Sequence, residues 1–228
     1  MSGSRVGADG LMTEIAMLDA LQDIEAIGAR SDADFWGYFE RNDGMMVLVA
    51  RYVRFIRRPE YGEPLLCRTM PYFNSVRYGS RYAEIRDGES NPLMCGWLTA
   101  LYVDSATLKP LRIPQSLVDG VEVYAPPVWE DWERRVSADR EMFTKRGEFK
   151  VRRFDLDMYR HMNNVRHIER AFDFLPEDAH PQTLRIEYKN AAPQGAAVIA
   201  ATAEIGGKTY VLLEDPDGGV YSLTEFTL

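Results

Sequence analysis

A helix that is apolar along only one face must be covered by something, and this chain places such a helix ahead of a run of strands twice. Residues 13 to 29 carry Ile15, Leu18, Leu21, Ile24 and Ile27 at three-residue intervals, with Met17 and Ala20 widening the stripe. Four strand-like runs follow, at Met46 to Arg57, Pro64 to Phe73, Val76 to Arg86 and Leu93 to Val103, each rich in β-branched or aromatic residues and bounded by turn formers. The second half repeats the order. Glu148 to Phe154 alternates like a strand, and Asn163 to Leu175 reads as a helix with Val165, Ile168, Phe172 and Leu175 on one face. Pro176 stops that helix. Strands are then expected at Thr183 to Lys189, Ala196 to Ile205, Lys208 to Glu214 and Val220 to Thr227, with Gly206-Gly207 and Asp217-Gly218-Gly219 as hairpin signals. An antiparallel sheet with one bare apolar face is closed by a helix laid across it, so the pattern predicts two α+β units. We place them at 1–104 and 148–228. The segment 105–147, with Pro110, Pro114, Pro126 and Pro127, is expected as a connector with a short helix around Trp129 to Met142.

Composition narrows the function classes. The longest strongly apolar stretch, Met45 to Ala50, is far short of the roughly 20 residues that span a bilayer, and no apolar signal region opens the chain. The formal charge of −8 argues against nucleic acid as a partner. Cys67 and Cys95 lie in apolar runs without ligand spacing, and the three histidines form no Cys/His cluster. We expect a cytoplasmic chain with reduced thiols, no metal and no cofactor.

The densest polar constellation precedes the second helix: Asp155, Asp157, Tyr159, His161, Asn163 and Asn164, within FDLDMYRHMNNV. A strand hands over to a helix there, and a helix start offers unpaired N–H groups and partial positive charge. That setting suits a developing oxyanion. Asp157 could act as a general base on water or attack a carbonyl, and His161 could orient either partner. The alternative is purely structural: Asn and Asp before a helix are ordinary caps.

At this stretch the sequence resembles the acyl-acyl-carrier-protein thioesterases of the double hotdog fold. DLDMYRHMNNV carries the likeness. RRPEYGEPLLCRTMPYF, SRYAEIRD, GWLTALYVDSATLKPLRIP (with the turn Asp104, Thr107, Pro110) and LRIEYKN support it. The resemblance implies two antiparallel sheets, each wrapped around a central helix, and hydrolysis of a fatty acyl thioester on acyl carrier protein. Asp157 and His161 fall at the family's catalytic aspartate and histidine, and Asn163 and Asn164 at its asparagine pair. The first half, with Gly7-Ala8-Asp9-Gly10 and no histidine, would shape the acyl pocket; Met12, Met17 and Leu21 are candidate lining residues.

Two departures stand out. The family has asparagine where this chain has Tyr159, and plant-type members have glutamate then cysteine where it has Ala191 and Ala192. Glu187 shares strand parity with Ala191, but four residues along a strand is roughly 13 Å, too far to substitute. These departures keep two rivals open: an acyl-CoA thioesterase, and a lapsed hotdog that binds acyl chains or carrier protein without turnover. Charge favours the carrier protein. Residues 145 to 170 hold eight bases and four acids, a net +4 in an acidic chain. Arg152, Arg153, Arg160 and Arg166 are the expected docking residues for an acidic carrier. The chain is expected as a monomer or a homodimer.

Overall fold

Thr13 starts the first long helix by turning its side-chain oxygen onto the backbone N–H of Ala16 at 3.1 Å. The helix, α1, runs over Glu14–Arg30 and buries Met17, Leu18 and Leu21 completely. The structure is a computed structural model that describes residues 3–128 and 130–228. It divides into two compact units: residues up to Val49 with Val53–Trp132, and Ala50–Tyr52 with Glu133–Leu228.

In the first unit α1 packs against two of four antiparallel strands. These are β1 (Gly44–Phe55), β2 (Leu65–Asn74), β3 (Tyr78–Asp87) and β4 (Pro92–Asp104), in the order β2-β3-β4-β1. Gly96 lets the helix approach β4: a Cβ there would lie 2.6 Å from Leu21 Cδ2. A second helix, α2 (Ala33–Arg41), is capped by Asp32, whose Oδ1 accepts the Phe35 N–H at 2.9 Å. Its Phe35 and Phe39 meet Tyr102 edge-on at 5.8 and 5.2 Å, beside Ile113. The expected Asp104 turn forms, with Asp104 Oδ1 accepting the Thr107 N–H at 2.8 Å. A short helix, α3, covers Gln115–Gly120.

The second unit orders its strands β6-β9-β8-β7-β5. They are β5 (Thr144–Lys150), β6 (Thr183–Tyr188), β7 (Ala197–Ile205), β8 (Lys208–Glu214) and β9 (Val220–Thr227). The helix α4 (Asn164–Phe172) lies against β8 and β9. It buries Val165, Ile168 and Ala171, and Phe172 meets Phe226 edge-on at 5.2 Å. Each unit is thus a helix on an antiparallel sheet, the hotdog arrangement. Among the described residues no helix is long and apolar enough to cross a membrane.

Three expectations are corrected. The strand expected at Glu148–Phe154 begins earlier and ends at Lys150, and Arg153–Asp155 is a 3-10 turn. The second helix ends at Phe172, with tighter turns at Phe174 and Leu175. The helix expected around Trp129 to Met142 is replaced by irregular chain and one 3-10 turn, Arg140–Met142; Trp129 itself lies outside the described residues. Long-range ties hold this segment out. Glu130 pairs with Arg54 at 2.7 Å, Val136 joins a core cluster with Tyr210, Leu212 and Leu223, and the Val136 N–H donates to Glu187 at 3.3 Å. A helix of this length has little stability of its own to set against such contacts.

Candidate active site

The segment between β5 and α4 folds into a closed loop. Its neck is the pair Leu156 and Met162, which bridge as an antiparallel couple. Inside the neck, the Asp157 N–H donates to the His161 carbonyl at 2.8 Å and the Arg160 N–H to the Asp157 carbonyl at 3.1 Å. Arg160 closes the turn at φ 64°, a left-handed conformation that a bulky side chain seldom takes. The loop is anchored on both sides. The Met162 N–H donates to the Ala192 carbonyl and the Asn163 N–H to the Asp155 carbonyl, both at 2.8 Å. Asp155 is buried, accepts the Arg152 N–H at 2.7 Å and pairs with Arg170 at 3.3 Å.

Asp157 and His161 are therefore brought together. The Asp157 carboxylate works one-sidedly: Oδ1 accepts the N–H groups of Tyr159 at 2.8 Å and His161 at 3.2 Å. Among the described residues Oδ2 accepts nothing, nor does the His161 ring have a hydrogen-bond partner, and both side chains are half-exposed. Asn163 caps α4, its Oδ1 accepting the Val165 N–H at 2.9 Å, and its carbonyl takes the Arg166 N–H at 2.9 Å. At the start of α4 one backbone donor is left over. Among the described residues the Asn164 N–H, the first of α4, has no acceptor. A carboxylate oxygen, an imidazole and a helix-start N–H thus lie within one short stretch of chain, from Asp157 to Asn164. That set can deprotonate water, orient a carbonyl and hold an oxyanion.

Other expected residues fall as follows. Tyr159 is 40 % exposed. Asn164 offers its carbonyl to the Tyr188 hydroxyl at 3.0 Å. Glu187 is engaged by the Val136 N–H and by Lys189 at 3.3 Å, away from the loop. Ala191 is exposed and Ala192 fully buried, so no side chain reaches the loop from that strand end. Arg152, Arg153 and Arg160 are exposed and make no ion pair among the described residues, whereas Arg166 pairs with Glu169 at 2.7 Å. Sequence patterning missed that Phe154 is 92 % and Met158 72 % exposed, which puts apolar surface among these arginines. Both look like strand or core residues until the loop is seen. Met12, Met17 and Leu21 are closed core and do not line the cavity of the first unit. One further imidazole is structural. His167, inside α4, sits 3.1 Å from Ser222 Oγ and edge-on to Tyr188, and burial pulls its pKa down to about 4.

The sequence model of the acyl-acyl-carrier-protein thioesterase C-terminal domain matches residues 138–214, which include the whole loop. Compared by sequence with curated proteins, the chain finds no match. Solved structures resemble it over its full length. An acyl-acyl-carrier-protein thioesterase from Bacteroides thetaiotaomicron superposes with a TM-score of 0.85 at 15% identity, covering 99% of this chain and 93% of that one. The 12:0-acyl-carrier-protein thioesterase from Umbellularia californica gives 0.85 at 17% identity, covering 100% and 94%. A putative oleoyl thioesterase from Lactobacillus plantarum gives 0.78 at 17% identity, covering 99% and 92%. Residues 138–214 thus match the sequence model of that C-terminal domain, and the whole chain shares the fold of those solved structures.

Proposed function

We propose that the chain hydrolyses fatty acyl thioesters carried on acyl carrier protein, releasing free fatty acid and carrier thiol. The observation that carries this reading is the loop from Leu156 to Met162, which joins an uncommitted carboxylate oxygen, a half-exposed imidazole and an unspent helix-start N–H. Asp157 Oδ2 takes a proton from water, and the water oxygen adds to the thioester carbonyl carbon. The Asn164 N–H meets the resulting oxyanion at the positive end of α4. The carbon–sulfur bond then breaks, the thiolate recovers the proton and the acid departs. His161 orients water and carbonyl, and Asn163 holds the helix start in place. No metal or cofactor is needed for this chemistry.

The partner reading rests on surface chemistry. Arg152, Arg153 and Arg160 stand exposed beside the loop with Phe154 and Met158 among them. A basic patch studded with apolar side chains on an acidic chain complements an acidic carrier with aliphatic contacts. The reading is tested by thiol release from a panel of acyl-carrier-protein and acyl-CoA thioesters, with Asp157→Asn as control. Carrier thioesters should turn over, and the variant should not. A folded protein that releases no thiol from any of them, or an Asp157→Asn rate equal to the parent's, would sink the proposal. Faster turnover of acyl-CoA would move the substrate to the coenzyme thioester.

A further inference from the structure

The strand that leads to each loop anchor ends in the same way. Tyr188 closes β6 as Phe55 closes β1, each four residues before the anchoring carbonyl of Ala192 or Pro59. Past β6 the N–H groups of Lys189 and Asn190 donate to the Tyr221 carbonyl at 2.9 and 3.5 Å. Past β1 those of Ile56 and Arg57 donate to the Leu93 carbonyl at 2.9 and 3.2 Å. Tyr188 and Phe55 are therefore counterparts, and so are Ser222 and Met94, which follow the two acceptors. The side chains differ in kind. The first unit fills these places with half-buried Phe55 and fully buried Met94. The second fills them with polar groups. Ser222 Oγ lies 3.1 Å from His167 Nδ1, the Tyr188 ring meets the His167 ring edge-on at 5.6 Å, and the Tyr188 hydroxyl donates to the Asn164 carbonyl at 3.0 Å. The first unit closes the same fold without such a set, so the fold itself does not demand it.

The Tyr188 bond falls on the helix start that follows the loop. The peptide joining Asn164 to Val165 is held at both ends, its N–H by Asn163 Oδ1 at 2.9 Å and its carbonyl by the Tyr188 hydroxyl. In the peptide before it, the Asn163 carbonyl takes the Arg166 N–H at 2.9 Å, and the Asn164 N–H has no acceptor among the described residues. Both planes flanking the Asn164 Cα are thus fixed while one donor stays unspent. A donor fixed in advance meets a forming oxyanion without reorganising. We propose that Tyr188 is a positioning residue: through the Asn164 carbonyl, its hydroxyl holds the direction of the spare Asn164 N–H. The inference rests on the proposed function for the use of that N–H, not for its placement.

The test is Tyr188→Phe, which gives the second unit the ring that the first already carries at this place, so the fold accepts it. In thiol release from carrier-protein thioesters, kcat should fall about fivefold, the worth of one neutral hydrogen bond, with KM unchanged. Phe55→Tyr should change neither. A hydroxyl that only braced the helix would show in the melting temperature and leave kcat alone, and that result overturns the inference. So does a change confined to KM, or an equal loss of kcat in Phe55→Tyr. A second readout needs no turnover. In isotope-labelled protein the Asn164 amide resonance should move in Tyr188→Phe and stay in place in Phe55→Tyr. An unmoved resonance in Tyr188→Phe overturns the inference even where activity falls. A wild-type chain that releases no thiol refutes the proposed function, while a moved resonance leaves the positioning standing.

Discussion

Residues 3 to 20 and 153 to 170 follow the same path: a 3-10 turn, a bridged neck, a tight turn closed by a left-handed residue, and a capped helix. The ties within the loop recur 150 positions away, and the anchor of each loop on its neighbour strand end has an equivalent in the other unit at a different offset. Gly7 N–H to Leu11 carbonyl matches Asp157 to His161, both at 2.8 Å; Met12 N–H to Pro59 carbonyl matches Met162 to Ala192, both at 2.8 Å. Gly10 at φ 81° stands where Arg160 stands at 64°, and Thr13 caps as Asn163 does. The chemistry differs completely. In the first loop the carboxylate is Asp9, whose Oδ1 takes the Leu11 N–H at 3.1 Å while Arg58 grips Oδ2 at 2.6 Å and Oδ1 at 3.2 Å. That grip holds the Asp9 carboxyl below the usual carboxylate range. Arg58 precedes Pro59 as Ala191 precedes Ala192. The second loop carries its acid two positions earlier, with Asp157 where the first has Gly7 and Tyr159 where it has Asp9, and among the described residues no arginine grips it, so one carboxylate oxygen stays available. Under the proposed function, one backbone device serves as a strut in one unit and as a reactive site in the other, according to whether the acid is neutralised.

The largest effect should come from Asp157→Asn. The amide oxygen can still accept the Tyr159 and His161 N–H groups, so the loop keeps its shape and loses only its base. We expect thioester turnover to fall by about 10²–10⁴, the usual worth of general-base catalysis, with an unchanged melting temperature. Asp9→Asn should do the reverse, lowering the melting temperature and leaving turnover alone. Nearly as large an effect is expected from Ala191→Arg, which installs the counterpart of Arg58. The new guanidinium should pair with Asp157 and cut turnover by about 10²-fold; unchanged turnover would break the comparison at its centre.

Much of this was legible in the sequence. The two apolar helix stripes, the strands Lys208–Glu214 and Val220–Thr227, and the polar loop before α4 carry their own signals. The repeat of the loop did not: between residues 3–20 and 153–170 only Met12 and Met162 are identical. Backbone hydrogen bonds make that equivalence, and they leave little mark on side-chain identity. The same reason hid α2, whose DFWGYFER run buries Phe35 and Phe39 but has no long stripe. It also hid the spare Asn164 N–H, which is a property of helix geometry. Conversely, WEDWERRVSADREM has helical composition, yet residues 130–139 form no helix because Val136 and Glu130 find distant partners.

A pH experiment separates the units by stability. Position 17 in α1 is a fully buried methionine; its counterpart in α4 is His167, buried and kept neutral. The folded-state pKa of His167, about 4, lies below the ordinary 6.5, so the unfolded chain binds the extra proton between those values. Stability from this site is fully present above pH 6.5 and lost as pH falls toward 4, by about 3 kcal/mol in all. Calorimetry over that window should show the second unit melting first. His167→Met should flatten its pH dependence. A first unit equally acid-sensitive would remove the distinction.

The caps give a smaller, cleaner contrast. Thr13→Ala and Asn163→Ala each delete one side-chain acceptor at a helix start and should each lower stability by about 1 kcal/mol in denaturant unfolding. Only Asn163→Ala should also lower turnover, because it loosens the helix start that carries the Asn164 N–H.

The smallest effect concerns Arg160, and its sign is informative. The first loop spends a glycine where the chain turns left-handed, whereas the second holds an arginine there against a penalty of about 1 kcal/mol. A structural loop would have no reason to keep that strain. Arg160 is exposed, unpaired among the described residues, and next to Tyr159 in the chain segment that also exposes Arg152 and Arg153. Arg160→Gly should therefore stabilise the second unit by about 1 kcal/mol while raising KM for acyl-carrier-protein substrates a few-fold and leaving acyl-CoA turnover unchanged. The KM change should shrink as salt is added, since an exposed charge acts within a Debye length of about 8 Å at physiological ionic strength. Stabilisation with no change in KM would take Arg160 out of the docking surface; a loss of stability would mean that its side chain, and not only its backbone, holds the loop.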